Sequence, residues 1–396
     1  MAASARSRTM EIVDVPAGAA GVDAVRTAIS RLTSDGESIA LVPGYSPGVV
    51  VRNLRSRLQA SIAAGVPDSW QEPALVLPTS GSTAQPKLVT LNRSALIAAA
   101  AARDTAQGGP AAWFVALPPG TAAAVSALSR SVLGATLHGS WTGVAGLARF
   151  DASVLAEQLS SFLGRAETAG QPARISLVGV QLDRLCAHAA AAAALTRFDA
   201  VLLGGGPVAA QVLTRAKDLG IRVVQTYGMT ETCGGCVYDG RPTPGVDVQL
   251  ASDSEILLGG QPLAAGYLDA PMPLTGSGLL RTGDRGRFTP DGSLQVLGRF
   301  DDIVTVRGAN VDLAAVAEVV RNHPGVRDSA VVAEPAPAGG HSIRAYVVGS
   351  ADPGRIELRV VEQLGPAARP TIWRLSALPR LPGGKVDLQN LRKDGR

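Results

Sequence analysis

The chain has 396 residues, 46% hydrophobic and 18% charged, a globular balance with length for two or more domains and a sizeable core. Its net charge is +4, but the arginines are scattered and no basic run with interleaved aromatics occurs, which argues against a nucleic-acid partner. Three cysteines are too few for a disulfide framework, and no stretch of about 20 apolar residues is present to span a bilayer.

The N-terminus has no apolar core of signal-peptide type, so a cytoplasmic location is expected. Residues 23–32 have helical spacing with Asp23 as N-cap, residues 38–42 fit a strand, and residues 43–48 are a turn-rich connection. Residues 74–78 form a short apolar strand. The loop after it, Thr79-Ser80-Gly81-Ser82-Thr83-Ala84-Gln85-Pro86-Lys87, offers hydroxyls, backbone amides around Gly81 and one ammonium. Such a set can wrap the outer phosphates of a nucleotide without a Walker signature, although the composition also fits an ordinary surface loop. Lysine stands only at positions 87, 217, 385 and 393. Where arginine is the default cation, a lysine inside a glycine-rich motif points to a need for a compact ammonium, and Lys87 and Lys385 are placed that way.

Residues 95–103 read as an Ala-rich helix and 113–117 as a strand, followed by Pro118-Pro119-Gly120-Thr121. Residues 175–178 form another strand, leading through Gln181-Leu182 into a close-packed helix that runs to residue 194. The clearest unit is a strand over 200–203, a turn Gly204-Gly205-Gly206, a helix over 207–219 opened by Pro207 and stopped by Gly220, and a strand over 221–224. The strands of such a unit are parallel, so the glycine turn and the segment after residue 224 share the carboxyl edge, where open α/β sheets bind ligands. That segment, Thr226-Tyr227-Gly228-Met229-Thr230-Glu231-Thr232, presents a ring, a hydroxyl and a carboxylate fit for a base, a phosphate oxygen and its metal. Taken alone, it fits a strand terminus and turn as well. Cys233-Gly234-Gly235-Cys236 has redox or half-zinc spacing, yet no second Cys/His pair is near, and small residues lining a crowded pocket are the favoured reading. The four histidines form no close spacing.

Short strands over 246–250, 255–258, 278–281 and 294–297 between Gly/Pro turns predict a small antiparallel subdomain. Within and after it come Thr282-Gly283-Asp284, whose carboxylate can accept two ribose hydroxyls, and Gly298-Arg299-Phe300-Asp301-Asp302, read as a boundary. The remainder is an α+β unit: a helix over 313–322, strands over 330–333 and 343–348, a helix over 356–364, and the glycine tip Pro382-Gly383-Gly384-Lys385.

In this order, residues 79–87, 227–232, 282–284, 298–302 and 383–385 resemble the adenylate-forming superfamily of acyl-CoA synthetases, peptide-synthetase adenylation domains and luciferases. The resemblance runs from the strand at 74–78 to the C-terminus. It implies an α/β fold: a large N-terminal domain of α/β layers over 1–300, with a β-rich subdomain over 237–300, then a small mobile α+β domain over 301–396. It implies substrates ATP, a carboxylic acid and coenzyme A, with Mg²⁺ held by Glu231. Lys385, Thr230 and Glu231 are the implied catalytic residues. Thr79, Ser80, Gly81, Ser82, Thr83, Lys87, Gly204, Gly205, Gly206, Pro207, Thr226, Tyr227, Gly228, Met229, Asp284 and Arg299 are the implied nucleotide contacts. Tyr227 is expected on adenine, Thr230 on the α-phosphate, and Lys385 between the carboxylate and the α-phosphate. Asp301 matches the superfamily hinge, and Arg307 and Gly308 match the loop that approaches the pantetheine channel.

Residues 233–240 resemble more narrowly the o-succinylbenzoate:CoA ligases of menaquinone biosynthesis. Ser176, Gln181, Gly234 and Gly235 are then expected to line the acyl pocket. Ala84 and Leu88 stand where the superfamily has glycine, and an alanine forced to positive φ costs on the order of 1 kcal/mol. Thr121 stands where it commonly has histidine. A synthetase for another aryl or fatty acid, an adenylation enzyme serving a carrier protein, and a nucleotide-binding pseudoenzyme remain alternatives, and the oligomeric state, a homodimer included, is left open.

Overall fold

The computed structural model describes residues 10–46, 48–64, 72–79, 86–141, 150–336, 340–381 and 384–393. Ser80, Gly81, Ser82, Thr83, Ala84 and Gln85 of the first motif, and Pro382 and Gly383 of the last, lie outside the described residues. No helix among those described is long and apolar enough to cross a membrane.

The centre is a seven-stranded sheet in the order Arg241–Pro242, Gly234–Tyr238, Val223–Met229, Ala200–Gly204, Ala173–Val178, Ala112–Val115 and His138–Ser140. From His138–Ser140 to Val223–Met229 the pairing is parallel. Alternation along each strand feeds two cores, as a pleat of period two requires. Trp113, Val115, Ala200 and Leu202 point toward a five-stranded sheet that contributes Leu75, Leu77, Val89 and Leu91. Ala112, Phe114, Val201 and Leu203 meet the helices Ala152–Thr168, Gly179–Cys186, Ala189–Leu195 and Ala210–Asp218 on the other face. Continuous apolar runs such as 200–203 suit a sheet covered on both sides.

Several expected elements are corrected. The first helix is Gly18–Ser30, so Asp23 is interior to it and not its N-cap. The helix expected to run to residue 194 is two, because His188 breaks it and caps the second through Nδ1, 3.3 Å from the Ala191 amide. The helix expected from Pro207 starts at Ala210, where the Asn322 side chain accepts the first amide at 3.0 Å. The helix Gly48–Ala63 and the strand Leu88–Asn92 escaped the sequence reading altogether.

The largest correction concerns residues 221–224. The strand runs Val223–Met229, straight through the motif, because an antiparallel partner pairs Gly235 with Gly228 and Gly234 with Met229. Thr230–Thr232 is a single 3₁₀ turn at the tip of that hairpin.

An antiparallel sheet of Val246–Leu250, Glu255–Gly260, Leu280–Phe288 and Leu294–Arg299 follows, as the Gly/Pro spacing predicts. Its connection Gly266–Tyr267 returns to pair with Leu88–Asn92. Beyond residue 302 come the hairpin Ile303–Val306/Ala309–Asp312 and a three-stranded sheet, with Val316, Val320, Ile356 and Val360 in a separate core. Arg285 pairs with Asp312, and Gln211 donates to the Val326 carbonyl, so this last unit is docked on the larger one.

Candidate active site

Parallel pairing places the carboxyl ends of Ala173–Val178, Ala200–Gly204 and Val223–Met229 on one edge of the sheet. Gly204 is required there, since a Cβ would stand 2.7 Å from Thr226 Oγ1, while Gly205 and Gly206 take positive φ. Pro207 stands in the extended segment between this turn and the helix.

Asp284 and Tyr227 are joined: the Tyr227 hydroxyl donates to Oδ2 at 2.8 Å, and Arg299 Nη1 donates to Oδ1 at 2.6 Å. Burial raises the Asp284 pKa, while the Tyr227 hydrogen bond and the charges of Arg299 and Lys385 oppose the shift. Each carboxylate oxygen has a second lone pair for an incoming hydroxyl. The strand segment carrying Asp284 is held by Glu255, a buried carboxylate that accepts the Gly283 amide at 2.9 Å and pairs with Arg281.

Glu231 is buried, and its Oε1 accepts the Tyr267 hydroxyl at 2.8 Å. That hydroxyl in turn accepts Lys87 Nζ at 3.2 Å. Burial, then the charge of Glu231, raises the Tyr267 pKa and keeps the phenol a donor. Thr79 is tied to Lys87, its amide bonded to the Lys87 carbonyl at 2.8 Å and its hydroxyl accepting the Lys87 amide at 3.0 Å. Leu88 is extended and paired with Pro78, so a side chain there carries no positive-φ strain.

Among the described residues no group of three His, Cys, Asp or Glu side chains could hold a metal. A single buried carboxylate still fits Mg²⁺, which keeps several waters and binds through one or two carboxylates plus substrate phosphates. Glu231 meets that description.

Lys385 sits on a tight hairpin closed by Leu381 N to Lys385 O at 2.8 Å and braced by Arg380, which bonds the Gly384 carbonyl at 2.7 Å. The residue keeps exposed surface, yet the protein atoms crowding its ammonium lower its pKa through desolvation, against the attraction of Asp284 and Glu231. Asp301 stands apart, exposed in the turn Phe300–Asp302, with Arg299 Nε at 3.6 Å. Arg307 and Gly308 form a two-residue hairpin turn with φ of 50° and 84°, the primed geometry that matches strand twist.

Both polar atoms of Gln181 are taken by main chain: Oε1 accepts the Val178 amide and Nε2 donates to the Ala116 carbonyl, each at 3.0 Å. Gln181 is therefore tied to the main chain through both of its polar atoms. Ser176 is half-buried on the neighbouring strand, and Gly234 and Gly235 begin the hairpin's second strand. Thr121 caps the helix Ala122–Leu133, accepting the Ala124 amide at 3.4 Å and donating to the Pro118 carbonyl at 2.8 Å. Cys233 and Cys236 are buried, free thiols, and burial pushes Cys233 up to about 12, which excludes a reactive thiolate at neutral pH.

The sequence reading missed Tyr267 and Arg103. Arg103, 1% exposed, lies under the hairpin tip, and no motif marks it inside an Ala-rich helix.

Residues 22–268 match the AMP-binding enzyme family, and residues 315–385 match the AMP-binding enzyme C-terminal domain. The chain is similar to a "Probable 2-succinylbenzoate--CoA ligase" of Mycobacterium tuberculosis, 38% identical over 326 residues covering 79% of this chain and 82% of that one. It is also similar to a 2-succinylbenzoate–CoA ligase of Enterococcus faecalis, 27% identical over 350 residues covering 81% and 69%. Among solved structures, the o-succinylbenzoate CoA synthetase of Bacillus subtilis bound to its acyl-adenylate intermediate superposes with TM-score 0.77 at 21% identity, covering 98% of this chain and 89% of that one. An amide bond synthetase of Marinactinospora thermotolerans gives 0.73 at 22% identity, covering 99% and 91%. The expected fold, a large α/β domain followed by a small C-terminal one, is therefore present. Taken with the match over residues 22–268, it places this chain in the AMP-binding enzyme family.

Proposed function

We propose that the chain is an AMP-forming acid–thiol ligase that joins o-succinylbenzoate to coenzyme A, the step its similar relatives are named for in the menaquinone route. The observation that carries the reading is the pair of hydrogen-bonded groups Tyr227–Asp284–Arg299 and Glu231–Tyr267–Lys87 on the two sides of one strand end. The residue 1–300 and 301–396 units, joined at Asp301, serve as platform and moving cap, and the reaction takes place in the cytoplasm, where MgATP and coenzyme A are at hand.

In the first step a carboxylate oxygen attacks the α-phosphorus, a P–O bond forms, and the bond to the β-phosphate oxygen breaks with release of pyrophosphate. In the second, the thiol sulfur attacks the acyl carbon and AMP leaves. Little covalent chemistry falls to the protein, so rate comes from positioning and from charge aimed at the transition state. Tyr227, with Gly204, Gly205, Gly206 and Pro207 below it, holds the base, and Thr226, Gly228 and Met229 form the strand that presents it. Asp284 takes the ribose hydroxyls beside Arg299, and Thr230 bonds the α-phosphate. Thr79, Ser80, Gly81, Ser82, Thr83 and Lys87 receive the outer phosphates. Bound at Glu231, Mg²⁺ supplies charge neutralisation to those phosphates. Lys385 meets the charge that grows between carboxylate and phosphorus. Ser176, Gln181, Gly234 and Gly235 wall the acid, and Arg307 and Gly308 turn toward coenzyme A in the second pose.

The test is pyrophosphate release by purified protein with MgATP and coenzyme A. The expected outcome is release with o-succinylbenzoate and little with benzoate, succinate or medium-chain fatty acids. Release with another acid keeps the mechanism and discards the substrate, an outcome to which Thr121, spent on a helix cap, lends interest. Silence across the panel removes the ligase reading.

A further inference from the structure

Arg103 reaches the hairpin tip from the helix Arg93–Ala106 below it. Its Nη2 donates to the Thr232 carbonyl at 2.7 Å, Nη1 to the Cys233 carbonyl at 2.9 Å and to Ser126 Oγ at 3.0 Å, and Nε to the Gly235 carbonyl at 2.5 Å. Three carbonyls of one short turn thus converge on a single buried cation. Cys233 at φ 56° and Gly234 at φ 102° provide the reversal that lets neighbouring carbonyls face the same way. Carbonyl dipoles aimed at one point repel unless a cation sits there, and only a planar fork with five donors satisfies them together. The nearby carboxylate, Asp104, is engaged by Arg130 at 2.6 Å, so the main chain carries this charge.

The turn so held is the one that carries Thr230 and Glu231 on one side and starts the Gly234–Tyr238 strand on the other. We propose that Arg103 is a positioning residue for adenylation, fixing the turn that carries Glu231 relative to Tyr267 and Lys87, an inference that rests on reading Glu231 as the metal carboxylate. A partner that only orients a metal-binding group acts on affinity and rate together, with losses of about 10–100-fold.

Arg103→Gln leaves one donor group where four contacts stood, and Arg103→Lys keeps the charge while losing the fork. In calorimetry, Arg103→Gln is expected to bind a non-hydrolysable ATP analogue with Mg²⁺ about 10-fold more weakly and to slow pyrophosphate release about 100-fold. Arg103→Lys is expected to recover part of both and carries the test if Arg103→Gln does not fold. Thioester formation from preformed adenylate should stay within about threefold for each variant, since that step does not use the metal carboxylate. Folded variants with wild-type analogue affinity and adenylation rate, even at a lower unfolding midpoint, overturn the proposal and leave Arg103 a stabilising residue. Glu231→Gln is run beside them. Its loss with Arg103 variants unaffected rejects the role of Arg103 alone, whereas an unaffected Glu231→Gln rejects the reading beneath it.

Discussion

Lys385→Ala is expected to slow adenylation about 10²–10³-fold, the loss typical of removing a preorganised charge from a transition state. Thioester formation from added acyl-adenylate should remain within about threefold, because the ammonium serves the phosphorus and not the thiol. The asymmetry follows from where the ammonium stands. It shares a cluster with Asp284 and Glu231, on a hairpin tip whose base is fixed by Arg380 to Asp328 and to the Gly384 carbonyl. The same surroundings give a pH signature. Desolvation lowers the lysine pKa from its ordinary 10.5, so the active, charged form is lost at a lower pH than in a free lysine. Adenylation should fall as pH rises through that value, and the second half-reaction should not. Lys385→Arg, with a cation that does not titrate in this range, is expected to lose the alkaline limb. Stopped-flow pyrophosphate release and a thiol assay, run across pH, separate the two steps, and equal losses in both would falsify the assignment.

Much of this site was legible because its groups lie in short, order-preserving motifs. The strand Ala74–Pro78 stands where the apolar run placed it, since the polar residues from Thr79 on end the run. The βαβ unit was readable from Gly204 to Gly220, because glycine punctuation is a local signal. What escaped depends on distant pairing. Tyr267 is 36 residues from Glu231 and 180 from Lys87, and no local pattern distinguishes it from any other buried tyrosine. Arg103 binds carbonyls at separations of 129 and 130 residues, and its Ala-rich helix gives no local sign of them. The helix Gly48–Ala63 buries only Leu54 and Leu58 among its arginines, too narrow a stripe to stand out beside the turn at Pro43. Thr121 carried an ordinary capping signal, a threonine ahead of an alanine run, which comparison with a histidine position obscured.

Asp301→Pro should spare the first half-reaction and reduce the second about 100-fold, the scale on which small misplacements of reacting groups act. In this pose residue 301 lies in the 3₁₀ turn Phe300–Asp302, whose hydrogen bond runs from the Ile303 amide to the Phe300 carbonyl. Proline at 301 removes no donor from that bond, and its φ near −65° lies in the 3₁₀ range, so the pose with Lys385 at the site is retained. In the swing proposed for the C-terminal unit, which brings Arg307 and Gly308 toward the thiol, residue 301 as the hinge leaves that φ, a change the ring forbids. The carboxylate itself contributes little, being exposed and 3.6 Å from an exposed Arg299. Asp301→Ala is therefore expected to behave as wild type in both steps, and the contrast between the two variants isolates the backbone from the charge. Proline also restricts Phe300, and a thermal unfolding midpoint registers that cost separately. A burst of pyrophosphate with normal rate, followed by adenylate that accumulates unconsumed in the presence of coenzyme A, is the expected record. Normal steady-state turnover in Asp301→Pro would place the swing at another residue between Arg299 and Ile303, where the four-stranded sheet ends and the next hairpin begins.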